Sequence, residues 1–109
     1  MFLICGLGNP GRKYLKTRHN IGFVLIEKLI SNYNFVTVKK DKKKELYKGY
    51  IGRQKCILIK PLTFMNLSGS IVLETLNFYK IKNSNLYVIH DDLDLKTAKI
   101  KIKIGGGNG

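Results

Sequence analysis

A chain of 109 residues suits one domain, and a hydrophobic fraction of 44% allows it a real core. No apolar run is long enough for a membrane span, and the apolar start Met1-Phe2-Leu3-Ile4-Cys5 lacks a basic leader, so a signal peptide is not expected and a cytoplasmic protein is. The net charge of +13 favours an anionic partner, nucleic acid first, although the basic residues are mostly Lys, as a biased genome would also produce.

In chain order, Phe2 to Leu7 reads as a buried strand ended by the turn signal Gly8-Asn9-Pro10-Gly11. Residues 12–20 are polar and irregular. Ile21 to Ser31 places Phe23, Ile26, Leu29 and Ile30 at helical spacing. Phe35 to Val38 is a short strand. The run Lys39-Lys40-Asp41-Lys42-Lys43-Lys44 is most simply a solvated loop or strand end. Leu46 to Ile51 and Lys55 to Lys60 flank Gly52-Arg53-Gln54 as a hairpin, which Pro61 ends. Asn66-Leu67-Ser68-Gly69 offers N-cap residues for a helix to about Tyr79, with Val72, Leu73, Leu76 and Tyr79 on one face. Leu86 to Ile89 is a buried strand leading into His90-Asp91-Asp92. Ile100, Ile102 and Ile104 alternate with Lys99, Lys101 and Lys103 in a half-buried strand. The order β-α-β-β-β-α-β-β defines an α/β single domain with a mixed β-sheet flanked by helices, over residues 1–109. Cys5 and Cys56 both sit in strand-like runs and read as reduced core thiols.

Four segments concentrate chemistry. Gly6-Leu7-Gly8-Asn9-Pro10-Gly11 matches G-x-G-x-x-G after a strand, the dinucleotide pattern. It fits poorly, because Pro10 and the polar stretch after it delay the helix that should meet a pyrophosphate. No acid ends the second strand either, as ribose recognition would require. The second segment is Tyr14 to Asn20, with Thr17-Arg18-His19-Asn20. The third is Lys60-Pro61-Leu62-Thr63-Phe64-Met65-Asn66-Leu67-Ser68-Gly69. The fourth, Val88 to Leu95, carries Asp91, Asp92 and Asp94, three of the chain's seven acids. Those three could hold Mg²⁺, but a plain acidic loop is the simpler reading, and His90 and Asp91, being adjacent, would face opposite sides of a strand. His19 and His90 are the only histidines. Imidazole suits general-base work near neutral pH, and a nearby carboxylate would orient it; a lone His is more often structural. In an open α/β sheet, ligands gather at the carboxyl ends of strands, where Gly8-Asn9, His90-Asp91 and Asn66 can meet.

Together, G-L-G-N-P-G, Y-x-x-T-R-H-N-x-G, K-P-L-T-F-M-N-L-S-G and H-D-D-L-D-L, in this order, resemble the bacterial peptidyl-tRNA hydrolase family from Leu3 to Gly109. The resemblance implies a monomeric α/β esterase in the cytoplasm, with peptidyl-tRNA as partner and neither cofactor nor metal. Position by position, it implies His19 as the catalytic base and Asp91 as the aspartate paired with it. It implies Asn9 and Asn66 as the asparagines holding the peptide and the tRNA 3′ end. Tyr14, Phe64 and Met65 would line the crevice, and Lys103 would meet the tRNA 5′-phosphate. The substrate would be the ester between peptide and terminal ribose. Water, deprotonated by His19, would attack its carbonyl, and an asparagine N–H could stabilise the oxyanion. No Ser or Cys nucleophile is needed, and Ser68 would cap its helix. In the family, the glycine loop at Gly105-Gly106-Gly107-Asn108-Gly109 continues into a further asparagine-bearing segment, a lid and more basic residues. The resemblance therefore implies that the C-terminal part is missing. A truncated, inactive tRNA- or RNA-binding remnant is the alternative to an active hydrolase.

Overall fold

The computed structural model describes residues 1–8, 21–63, 65–91 and 100–104, and at 65–67, 91 and 100–104 it describes the backbone alone. The order of elements is β1 (Phe2–Gly6), α1 (Ile21–Tyr33), β2 (Val36–Lys40), β3 (Lys44–Ile51), β4 (Gln54–Pro61), α2 (Met65–Tyr79), β5 (Leu86–Asp91) and β6 (Ile100–Ile104), with a 3-10 turn at Asn83–Asn85. This is the expected succession. The strands form one six-stranded sheet in the order β2-β3-β4-β1-β5-β6. β1 runs parallel to β4 and to β5, and every other pairing is antiparallel. The sheet is therefore mixed, with a parallel centre.

Two apolar layers cover that centre. On one face Leu3, Cys5, Leu46, Ile57, Ile59, Leu86 and Val88 pack with Ile71, Val72 and Leu76 of α2. On the other, Tyr47, Cys56 and Leu58 pack with Ile26 of α1 and with Phe35. The alternation follows from the strand period of two: neighbouring residues of β4 enter opposite layers. Leu3, Ile57, Leu58 and Ile59 are fully buried, as central strands covered on both faces must be. Cys5 and Cys56 are buried free thiols, and burial pushes the Cys5 thiol up to about 12.

Both helices end in a left-handed residue, Asn34 (φ 56°) after α1 and Lys80 (φ 55°) after α2. Backbone bonds from Phe35 N to Ile30 O (3.1 Å) and from Ile81 N to Leu76 O (2.9 Å) close each end. The chain thereby turns straight into the buried Phe35 and Ile81. Gly52, at φ 63°, opens the two-residue turn between Ile51 and Gln54, the place where a II′ hairpin requires glycine.

Three expectations need correction. The second helix begins at Met65, so Asn66 and Ser68 lie within its first turns and neither is its N-cap. Ser68 is in fact buried, and the inward face runs through Ile71, Val72, Thr75 and Leu76, whereas Leu73 is 55% exposed. Thr75, inside the apolar layer, satisfies its hydroxyl by donating to Ile71 O at 2.9 Å. The strand expected to stop at Ile89 continues through His90 and Asp91, because β6 supplies their ladder partners, Lys101 and Ile100.

Candidate active site at the carboxyl edge of the sheet

The parallel strands β4, β1 and β5 end side by side at Pro61, Gly6 and Asp91. Cys5 pairs with Ile59, and Gly6 with Ile89, so the three ends are in register to within two residues. The ladder continues one step past β1, where Leu7 N donates to Ile89 O at 2.9 Å. This edge is where a sheet with a parallel centre presents its loops together.

Each motif segment leaves from that edge. Residues 9–20 follow β1, and the chain returns from them at Ile21, the start of α1. The return point is fixed by backbone contact. A Cβ on Gly22 would lie 2.6 Å from Leu7 N and 2.7 Å from Ile89 O, and would also strike Leu7 O. A Cβ on Gly6 would meet the Gly22 backbone and the Ile26 side chain. Two glycines thus let the first turn of α1 sit directly on the ends of β1 and β5. The described residues on either side of the segment carrying Asn9, Tyr14 and His19 are held at this edge, although those three residues lie outside the described residues, as does Phe64.

The remaining expected residues are placed by their backbones. Asp91 is the last residue of β5, opposite Ile100. Met65 and Asn66 open α2, a few residues past the end of β4. The structure therefore brings Asp91 and the Met65-Asn66 turn to the same edge. Lys103 is set apart from them: it pairs with Val88, three ladder positions inward from Asp91.

The edge also carries a charge cluster absent from the expected set. Lys60, the penultimate residue of β4, is 8% exposed. Its ammonium pairs with Glu27 of α1 and with Glu45 of β3 at 3.3 Å, and lies 5.4 Å from the centre of the Phe23 ring. Tyr47 donates to Glu45 Oε1 at 2.5 Å. Burial alone would raise the Glu45 carboxyl; the Tyr47 hydroxyl and the Lys60 ammonium outweigh it and hold the group below its usual range. For Tyr47, burial and then the Glu45 carboxylate push the phenol well up. Lys60 thus ties α1, β3 and β4 together beneath the edge. Its sequence signal was a charged residue inside the otherwise apolar run Cys56 to Pro61. Just beyond, Thr63 has a buried hydroxyl with no hydrogen-bond partner among the described residues. No group of three or more His, Cys, Asp or Glu able to hold a metal occurs among the described residues, and no helix among them is long and apolar enough to cross a membrane.

A mixed-sheet α/β fold with its polar motif segments issuing from the carboxyl ends of three parallel strands belongs to the class of α/β proteins that bind and act at a sheet edge. A family model described as peptidyl-tRNA hydrolase matches residues 3–109. The chain belongs to the peptidyl-tRNA hydrolase family. It is similar to a peptidyl-tRNA hydrolase of Rickettsia canadensis (strain McKiel), 49% identical over 110 residues, covering 100% of this chain and 60% of that protein. One of Rhizobium rhizogenes is 50% identical over 109 residues, covering 100% of this chain and 46% of that protein. The crystal structure of peptidyl-tRNA hydrolase from Acinetobacter baumannii superposes with a TM-score of 0.78 at 38% identity, over 87% of this chain and 49% of that one. The chain thus spans about 60% of the length of the first of these relatives. With the family shown, the dinucleotide reading of the glycine segment is set aside.

Proposed function

We propose that this chain is a peptidyl-tRNA hydrolase, cleaving the ester between a peptide and the terminal ribose of tRNA. The observation that carries the reading is the convergence of the motif segments on one edge: Asp91 at the end of β5, Met65-Asn66 opening α2, and the 9–20 segment tethered through Gly22. The family match over residues 3–109 and the names of its relatives supply the substrate class.

In this reading, His19 takes a proton from water as the hydroxyl adds to the ester carbonyl carbon. Asp91 orients His19 and stabilises the imidazolium that forms. The amides of Asn9 and Asn66 hold the peptide and the ribose end, and an amide N–H stabilises the oxyanion, an effect worth about 3–4 kcal/mol at comparable sites. Collapse of the tetrahedral species expels the ribose oxygen, which recovers the proton from His19. Tyr14, Phe64 and Met65 line the crevice, and Lys103 meets a phosphate of the tRNA. Residues 1–109 belong to one domain, which works as a monomer in the cytoplasm without metal or cofactor.

The test is single-turnover cleavage of an N-acetylaminoacyl-tRNA by this chain and by its His19→Ala variant, each with and without chelator. Cleavage that is insensitive to chelator and slowed by roughly 10²–10⁴ in the variant is the expected result. Binding of tRNA with no turnover would instead identify an inactive binding remnant.

A further inference from the structure

The lysine-rich turn between β2 and β3 is unused by the roles assigned above. β2 runs parallel to β4, since each is antiparallel to β3. The turn after Lys40 therefore emerges at the same edge as Pro61, Gly6 and Asp91. Lys44 pairs with Pro61, and Leu62 N donates to Lys43 O at 2.8 Å, which joins the turn directly to the segment entering α2.

The turn is also built to a fixed shape. Asp41 Oδ1 accepts from Lys43 N at 2.8 Å and from Lys44 N at 2.9 Å, and Asp41 N donates to Lys44 O at 3.0 Å. Those backbone amides, with Lys39 and Lys44 nearby, hold the Asp41 carboxyl below its usual range. The single acid in the run is thus engaged with the backbone that shapes it. Lys44 pairs with Glu74 at 3.4 Å, and Lys39 with Asp41 at 3.7 Å. Lys42 and Lys43 are exposed and make no ion pair among the described residues.

The plain alternative is that edge lysines deter strand-to-strand aggregation. It serves for Lys39 and Lys40, which lie on the open edge strand β2. It does not serve for Lys42 and Lys43, which stand in the turn, outside any ladder.

We propose that the Lys42–Lys43 turn is a phosphate-contact surface that holds the RNA backbone of the substrate beside the carboxyl-edge site. This rests on the reading of the chain as a peptidyl-tRNA hydrolase. At about 4.8 Å per strand, the turn on β3 stands roughly 10–15 Å from the ends of β1 and β5. The lysines read no base. They fix the register of the strand, so their effect depends on salt.

The test is equilibrium binding of deacylated tRNA to the full chain across 50–200 mM salt. Lys42→Gln/Lys43→Gln is compared with Arg53→Gln/Lys55→Gln, which removes two exposed charges at the opposite end of the strands. The slope of log affinity against log salt should fall by about 1.5 in the turn variant and by less than about 0.5 in the control. Lys42→Arg/Lys43→Arg should bind as the parent does, which separates charge from folding. Equal losses in the two Gln variants, or no tRNA binding by the parent chain, would overturn the proposal. Binding that follows this pattern without ester cleavage would leave the surface standing and refute the hydrolase reading.

Discussion

Lys60 is the residue whose role was least visible from its neighbours in the chain. A charge in a buried strand must be paired, and its partners come from Glu27, 33 residues earlier, and Glu45, on the adjacent strand. Lys60→Met removes the cation and leaves Glu45 facing the apolar layer. Urea unfolding should register a loss of about 2–3 kcal/mol, less than the roughly 3–5 for a fully buried pair, because Glu27 is 57% exposed and can turn to water. The same cluster sets an acid response. Glu45 titrates below its ordinary 4.5 in the folded chain, so its contribution is complete above that pH and is lost as the pH falls through the folded value. Thermal melts of the parent should therefore lose stability below about pH 4.5, and Lys60→Met should show a smaller acid-sensitive part. An equal decline in both proteins would count against the cluster.

At the scale of elements, apolar runs and turn signals were enough for the order of strands and helices. Gly52 fixed its hairpin, and Phe23 with Ile26 fixed the inward face of α1. What was not legible depended on partners distant in sequence. His90 and Asp91 look like the start of a loop until β6 pairs with them. Asn66 and Ser68 have the chemistry of helix caps, yet α2 starts ahead of them, and Ser68 is covered by the packed interior. Leu73 satisfied an apolar pattern that the real inward face, through Ile71, Val72, Thr75 and Leu76, does not use. The contact of Gly22 with β1 and β5 belongs to this scale as well, since it seats a whole helix. Gly22→Ala forces a methyl against the backbone of two strands, which cannot yield as a side chain tip would. The expected cost is about 2–3 kcal/mol in urea unfolding, with α1 lifted from the edge. Ester cleavage should fall well beyond what the remaining folded fraction explains, because the segment bearing His19 ends at this helix.

At the scale of the molecule, a parallel centre inside a mixed sheet produces one edge where segments far apart in sequence meet. Asp91, the opening of α2, the residues flanking the 9–20 segment and the basic β2–β3 turn all reach it. The candidate site was legible in sequence as strings resembling a family. Its gathering at the carboxyl ends of strands was also expected; the register across β4, β1 and β5 that sets the ends beside one another was not, because register is a long-range property. The central claim is that His19 and Asp91 work as one unit at this edge. A double-mutant cycle on single-turnover cleavage of N-acetylaminoacyl-tRNA, using His19→Ala, Asp91→Ala and the pair, tests it most directly. The account predicts that the double variant is no slower than His19→Ala alone, because Asp91 acts only through the imidazole. Losses that multiply, with each variant costing its full factor in the presence of the other, would contradict it.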